Sequence, residues 1–121
     1  MRCCSTSGGA VASPVADGSE PVRLSHYFRV NDPAEYARRH ATVWPEIEAL
    51  LRECGFRRYD IYLWGDVAVS FIEVDDYAAA AERYNASAAG ARWEEHFADL
   101  ISIDETDEHG WAKPFDHVWS L

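Results

Sequence analysis

The sequence predicts one α+β domain, an antiparallel sheet with its helices on one face. Three observations carry that prediction. Val22–Val30, residues 57–63 and Val67–Val74 are short, rich in apolar and β-branched residues, and bounded by turn residues, so they read as strands. Between and after them lie stretches with apolar residues at helical spacing, two of them introduced by Asp. The resulting order, β-α-β-β-α-(α)-β, is that of a ferredoxin-like sandwich. At 121 residues the chain suits a single domain, and 48% hydrophobic with 26% charged residues excludes disorder throughout.

In the first strand Val22, Leu24, His26, Phe28 and Val30 share one face, and Arg23, Ser25, Tyr27 and Arg29 share the other. Asp32 then caps a helix, Pro33 suits its first position, and Glu35 completes a capping box. That helix runs toward Cys54 and stops at Gly55, with a kink or a restart around Trp44-Pro45-Glu46, because an interior proline removes a hydrogen bond. Trp64-Gly65-Asp66 joins the next two strands as a short hairpin turn. Asp75 or Asp76 caps a helix through Tyr84, Asn85-Ala86-Ser87 breaks it, and a third helix covers residues 90–100. Residues 103–110 read as an acidic loop and residues 111–121 as a final extended segment that supplies the last strand.

Residues 1–21 are rich in Gly, Ser, Pro and Ala without periodicity, so a disordered tail is expected before a domain at 22–121. No apolar run of signal-peptide or membrane-spanning length is present. Cys3, Cys4 and Cys54 form no metal or redox spacing, which suits reduced thiols and a cytoplasmic location. With 11 Lys plus Arg against 21 Asp plus Glu, the net charge of −10 disfavours nucleic acid and anionic membranes as partners. The second and third strands are apolar on both faces, whereas a sheet with one wet face alternates. A partner subunit, a pocket or both must cover the second face, and a homodimer is expected.

Tyr36 and His40 stand four residues apart, on one face of the first helix. Imidazole titrates near neutrality and suits proton exchange, and a tyrosine one turn away can bind the same ligand. The pair lies within EYARRHATVWPEIEALLRECGFRRYDIYL, residues 35–63. This run resembles the L-rhamnose mutarotase family in its E-Y-x-x-R-H-x-x-x-W-P-E pattern, the following Gly, and the Y-x-I-Y-L strand. Phe71-Ile72-Glu73, Arg92-Trp93 and the terminal Val118-Trp119-Ser120-Leu121 extend the likeness over the whole domain.

The resemblance implies a dimeric α+β barrel that interconverts the α and β anomers of a 6-deoxy-hexose, L-rhamnose foremost, with no metal or organic cofactor. It makes His40 the proton donor, and Tyr36, Tyr59 and Trp93 sugar contacts. Mutarotation opens a hemiacetal and closes it on the other face. One group protonates the ring oxygen, a task His40 can perform, while another takes the anomeric proton. A tyrosinate-like Tyr, a carboxylate or a water can fill that second role. The chain departs from the family at Glu94, where a second Trp often follows the first, in the short turn before Asp66, and at Trp119. Alternatives are an L-fucose or other aldose mutarotase, another cofactor-free enzyme of the same barrel shape, and a non-catalytic ligand-binding barrel.

Other residues have plainer expectations. His96 with Glu95 and Asp99 lacks metal-ligand spacing and reads as helix surface or packing. His26, on the apolar face of the first strand, reads as a satisfied core histidine, with a pocket role as the alternative. DETDEH at 104–109 reads as a solvated loop, Trp44 as packing at the proline, and Tyr77 and Tyr84 as helix-face packing.

Overall fold

The computed structural model describes residues 20–121, so the expectation of a disordered tail falls almost wholly outside the described residues. In chain order the elements are β1 (Val22–Val30), α1 (Pro33–His40), α2 (Pro45–Cys54), β2 (Phe56–Trp64), β3 (Val67–Val74), α3 (Tyr77–Asn85), α4 (Ala88–Phe97) and β4 (Ile101–Ser102). The sheet is antiparallel with strand order β2-β3-β1-β4, as expected of the ferredoxin-like sandwich. Among the described residues no helix is long and apolar enough to cross a membrane.

Alternation sets the faces. Phe28, Val30, Ala68, Ile72 and Val74 are buried under the helices, together with His26 and Ser70. Arg23, Arg29 and Glu73 face away from them. A register shift between Phe56 and Arg58 adds a residue to β2. The shift turns Phe56 and Tyr59 to the same side, with ring centroids 5.5 Å apart.

Asp32 caps α1 by accepting from the Glu35 amide at 3.1 Å. The capping box is only half made, because Arg38 and Arg39 take the Glu35 carboxylate. At Pro45 the chain restarts rather than kinks. A proline pushes the preceding residue out of the helical region, and Trp44 is accordingly extended, with φ −62° and ψ 134°. His40 is therefore the last residue of α1. Gly55 ends α2 with φ 102°, a conformation a side chain resists.

The last strand is corrected. It is Ile101–Ser102, paired with Arg29 and Val30, and not the segment at 111–121. Two residues are too few to show alternation, and Pro114 lacks the amide a regular strand needs there. The terminal segment instead places one amide, Phe115 N, on the Ser25 carbonyl at 2.7 Å, and Phe115 stacks on Tyr27. The third helix also starts and ends earlier than expected, at Ala88 and Phe97, because Ser87 caps it.

Candidate active site

A cavity of about 400 Å³ lies between the inner face of the sheet and the helices, a size that suits a small ligand. Tyr36 and His40 come from α1, Tyr59 and Ile61 from β2, and Trp93, Glu94 and Phe97 from α4. The structure thus brings His40, Tyr36, Tyr59 and Trp93, the four residues singled out in the sequence, to one cavity. An outer hollow shares Tyr36, His40, Tyr59 and Ile61 with it. These four residues stand where the deep cavity meets the outside.

His40 is half-buried. Its ring packs on Tyr36 at 4.5 Å, on Phe97 at 4.6 Å and edge-on to Trp93 at 5.8 Å. Nδ1 lies 3.1 Å from the Tyr36 carbonyl, which can only accept, so Nδ1 carries the proton. Nε2 is then the nitrogen with a lone pair. Burial, helped by nearby His96, outweighs the Tyr36 hydrogen bond and lowers the imidazole's proton affinity below its ordinary value. At neutral pH the ring is therefore uncharged, with its lone pair at Nε2.

Position is enforced from outside. Arg39 donates to Glu35 at 2.7 Å, to the His96 carbonyl at 2.6 Å and to Asp99 at 3.0 Å. That bridge ties the end of α1 to the end of α4. It also accounts for Asp99, and among the described residues no group of three or more His, Cys, Asp or Glu is arranged to hold a metal ion. Trp44 packs edge-on to Trp93 at 4.9 Å, the packing role expected of it.

Tyr36 is buried and Tyr59 half-buried, and desolvation pushes both phenols far above their ordinary range. They stay protonated and serve as hydrogen-bond donors, which argues against a tyrosinate as the second proton acceptor. Ser70 lies close enough to favour the Tyr59 phenolate slightly, yet its Oγ makes no hydrogen bond. His26 is only 3% exposed and its Nδ1 has no partner, so it is not the satisfied core histidine expected. Burial lowers its proton affinity, and it lines the cavity.

Residues from α3 and from the stretch after Ile103 line the cavity as well. Tyr84 packs as expected but also lines the cavity and donates to Glu94 at 2.8 Å. The acidic stretch 104–109 is not simply a solvated loop. Asp107 accepts from the His109 and Trp111 amides at 2.8 and 3.1 Å and from the Tyr77 hydroxyl. Burial opposes its charge, but these bonds win and hold Asp107 below the usual carboxylate range. The turn so formed lays His109, Gly110 and Trp111 along the cavity wall. Trp111 is fixed by Asn85 at 2.9 Å and stacks parallel to Phe56.

Residues 25–121 match the L-rhamnose mutarotase family. This chain belongs to the L-rhamnose mutarotase family. L-rhamnose mutarotases of Salmonella paratyphi B and Salmonella newport are each 36% identical to it over 85 residues, covering 66% of this chain and 80% of theirs. Among solved structures, an L-rhamnose mutarotase from Formosa agariphila superposes with a TM-score of 0.65 at 19% identity, over 83% of this chain and 98% of that one. Tetracenomycin F2 cyclase from Streptomyces glaucescens, a type-II polyketide cyclase, gives 0.53 at 20% identity with the same coverage. The last two likenesses establish the shared α+β fold. Family membership rests on the sequence matches.

Proposed function

We propose that this protein interconverts the α and β anomers of L-rhamnose by opening and reclosing the pyranose ring, with His40 as a proton-transfer residue. The observation that carries the reading is the placement of His40. Its Nδ1 is tied to the helix backbone, while the ring lines an aromatic cavity. Family membership supports the substrate, and aromatic walls suit the methyl and apolar face of a 6-deoxy sugar.

Opening removes the proton of the anomeric hydroxyl, delivers one to the ring oxygen and breaks the bond between that oxygen and C1. The aldehyde end then rotates, and closure runs the same transfers backwards. A neutral Nε2 accepts in the opening half and donates in the closing half. This departs from the expectation that His40 protonates the ring oxygen: with its proton on Nδ1 and a lone pair at Nε2, the neutral ring is set to accept first. Tyr36 and Tyr59, kept protonated by burial, donate to sugar hydroxyls, and Trp93 supplies a flat wall. Only protons move, so the scheme needs no redox or group-carrying cofactor.

We also infer that a second copy of the chain covers the outer sheet face. Phe71 is 48% exposed and Tyr62 61% exposed there, packed edge-to-face at 5.6 Å. A cytoplasmic location fits the chain's unpaired, buried Cys54.

The test is saturation-transfer NMR on L-rhamnose. The protein should raise the rate of anomer exchange, and His40→Ala with an unchanged circular dichroism spectrum should lower that rate about 10²–10⁴-fold. Unaltered exchange at stoichiometric protein defeats the reading. Calorimetric binding without faster exchange selects a non-catalytic sugar-binding protein instead.

A further inference from the structure

His40 serves one of the two oxygens that exchange protons in ring opening, and the other needs a group of its own. We propose that Glu94 is that group: it is the only carboxyl on the cavity wall among the described residues, Tyr84 holds one of its oxygens, and the other is left to exchange a proton with the sugar. The proposal rests on the mutarotase reading and assigns the half of the chemistry that His40 leaves open.

The geometry is built for it. Glu94 follows Trp93 on α4, and both line the cavity. Glu94 is solvent-accessible, so a ligand in the cavity can reach it. Gly90 lies one turn before it on the same face of α4. A Cβ at Gly90 would stand 2.8 Å from the Tyr84 carbonyl and 3.3 Å from the Tyr84 ring. The missing side chain is what lets Tyr84 lean over the helix and place its hydroxyl 2.8 Å from Glu94 Oε2. A hydroxyl has one proton to give, so Tyr84 binds Oε2 and leaves Oε1 for the ligand.

The protonation states complement each other. Burial favours the uncharged carboxyl, against the smaller pull of the Tyr84 hydrogen bond, while burial keeps His40 uncharged too. In opening, His40 Nε2 takes the anomeric proton as the C1–O double bond forms. Glu94 gives its proton to the ring oxygen as the C1–ring oxygen bond breaks. In closure the Glu94 carboxylate takes that proton back as the ring oxygen attacks C1, and the His40 imidazolium returns the other. Both residues end as they began.

The titratable groups around Glu94 are Tyr84 from α3, Tyr36 and His40 from α1, Tyr59 from β2, His26 from β1 and His109 from the turn before Trp111. Burial lowers the proton affinity of His26 and His40 and raises that of the Tyr36 and Tyr59 phenols, so these four stay uncharged at neutral pH.

The experiment is anomer exchange of L-rhamnose measured against pH for the wild type, Glu94→Gln, Glu94→Ala and Tyr84→Phe. The wild type should give a bell, falling in acid as His40 charges and in base as Glu94 loses its proton. Glu94→Gln should lower kcat about 100-fold or more with KM within about threefold, and keep only the acid limb. Tyr84→Phe removes a bond that favours the carboxylate, so the basic limb should move to higher pH. Formic acid added to Glu94→Ala should restore part of the rate. A Glu94→Gln enzyme with kcat within about threefold of wild type, or with only KM raised, overturns the proposal. Should Glu94→Gln fail to fold, an unmoved basic limb in Tyr84→Phe overturns it as well. Loss of exchange in His40→Ala with retention in Glu94→Gln removes this inference and leaves the mutarotase reading standing. An inactive wild type removes both.

Discussion

His40 owes its behaviour to its place in the chain. As the last residue of α1 it sits where the helix dipole favours a cation. Burial, with nearby His96, opposes a cation more strongly, and the net affinity for a proton falls. The imidazole should therefore titrate below its ordinary 6.5, and the exchange rate should hold as pH falls through that value before dropping. A proton NMR titration of the His40 ring, followed beside the rate, checks both. A ring titrating at or above 6.5 contradicts the neutral-base assignment. The same lowering acts on the fold. Below 6.5 the unfolded chain takes up protons that His26 and His40 refuse when folded, so stability falls as pH drops.

At the scale of elements, the spacing of α1 was legible because Tyr36 and His40 share a helix face whatever follows. The outcome at Pro45 was legible only as a choice between kink and restart, since a proline within a helical run can produce either. The strands β1 and β3 show in the sequence because their apolar runs end at turn residues. The bulge after Phe56 and the two-residue β4 leave no such trace, being set by pairing across the sheet. The turn at Asp107 was hidden for a similar reason: its anchor, Tyr77, is thirty residues away. Glu94 could be seen as a departure from the family, but not that Tyr84 holds it.

The Glu35–Arg39–Asp99 bridge makes a separate prediction. Hydrogen bonds from Arg38 and Arg39 hold Glu35 at about 2, against an ordinary value of 4.5. Its contribution to stability is complete above 4.5 and is lost as pH falls toward 2. Glu35→Gln should lower the melting temperature at neutral pH and flatten the dependence of melting temperature on pH across that window. An unchanged slope in differential scanning calorimetry would deny the bridge that role.

For the whole molecule, the inner face of the sheet builds the cavity and the outer face is left with Phe71 and Tyr62 in the open. Opposite charges, Arg23 with Glu73 and Arg58 with Asp60, flank those rings. A two-fold interface meets itself, so paired charges of both signs suit it better than one sign would. Light scattering after size exclusion should give twice the chain mass of 13.7 kDa. Phe71→Asp should give the single mass, because it buries a charge against its own copy. A wild-type mass of one chain rejects the dimer.

The hydrogen bond from Phe115 to Ser25 has a consequence for anyone who shortens the protein. Beyond Arg29 and Val30, that amide supplies the cover along the far margin of β1 among the described residues. Clipping the final residues from Phe115 onward frees the Ser25 carbonyl and opens that margin of β1 to recruitment of stray chains. Turbid solutions and amyloid-dye uptake, ahead of any change in turnover, are the symptom to watch for in truncated preparations.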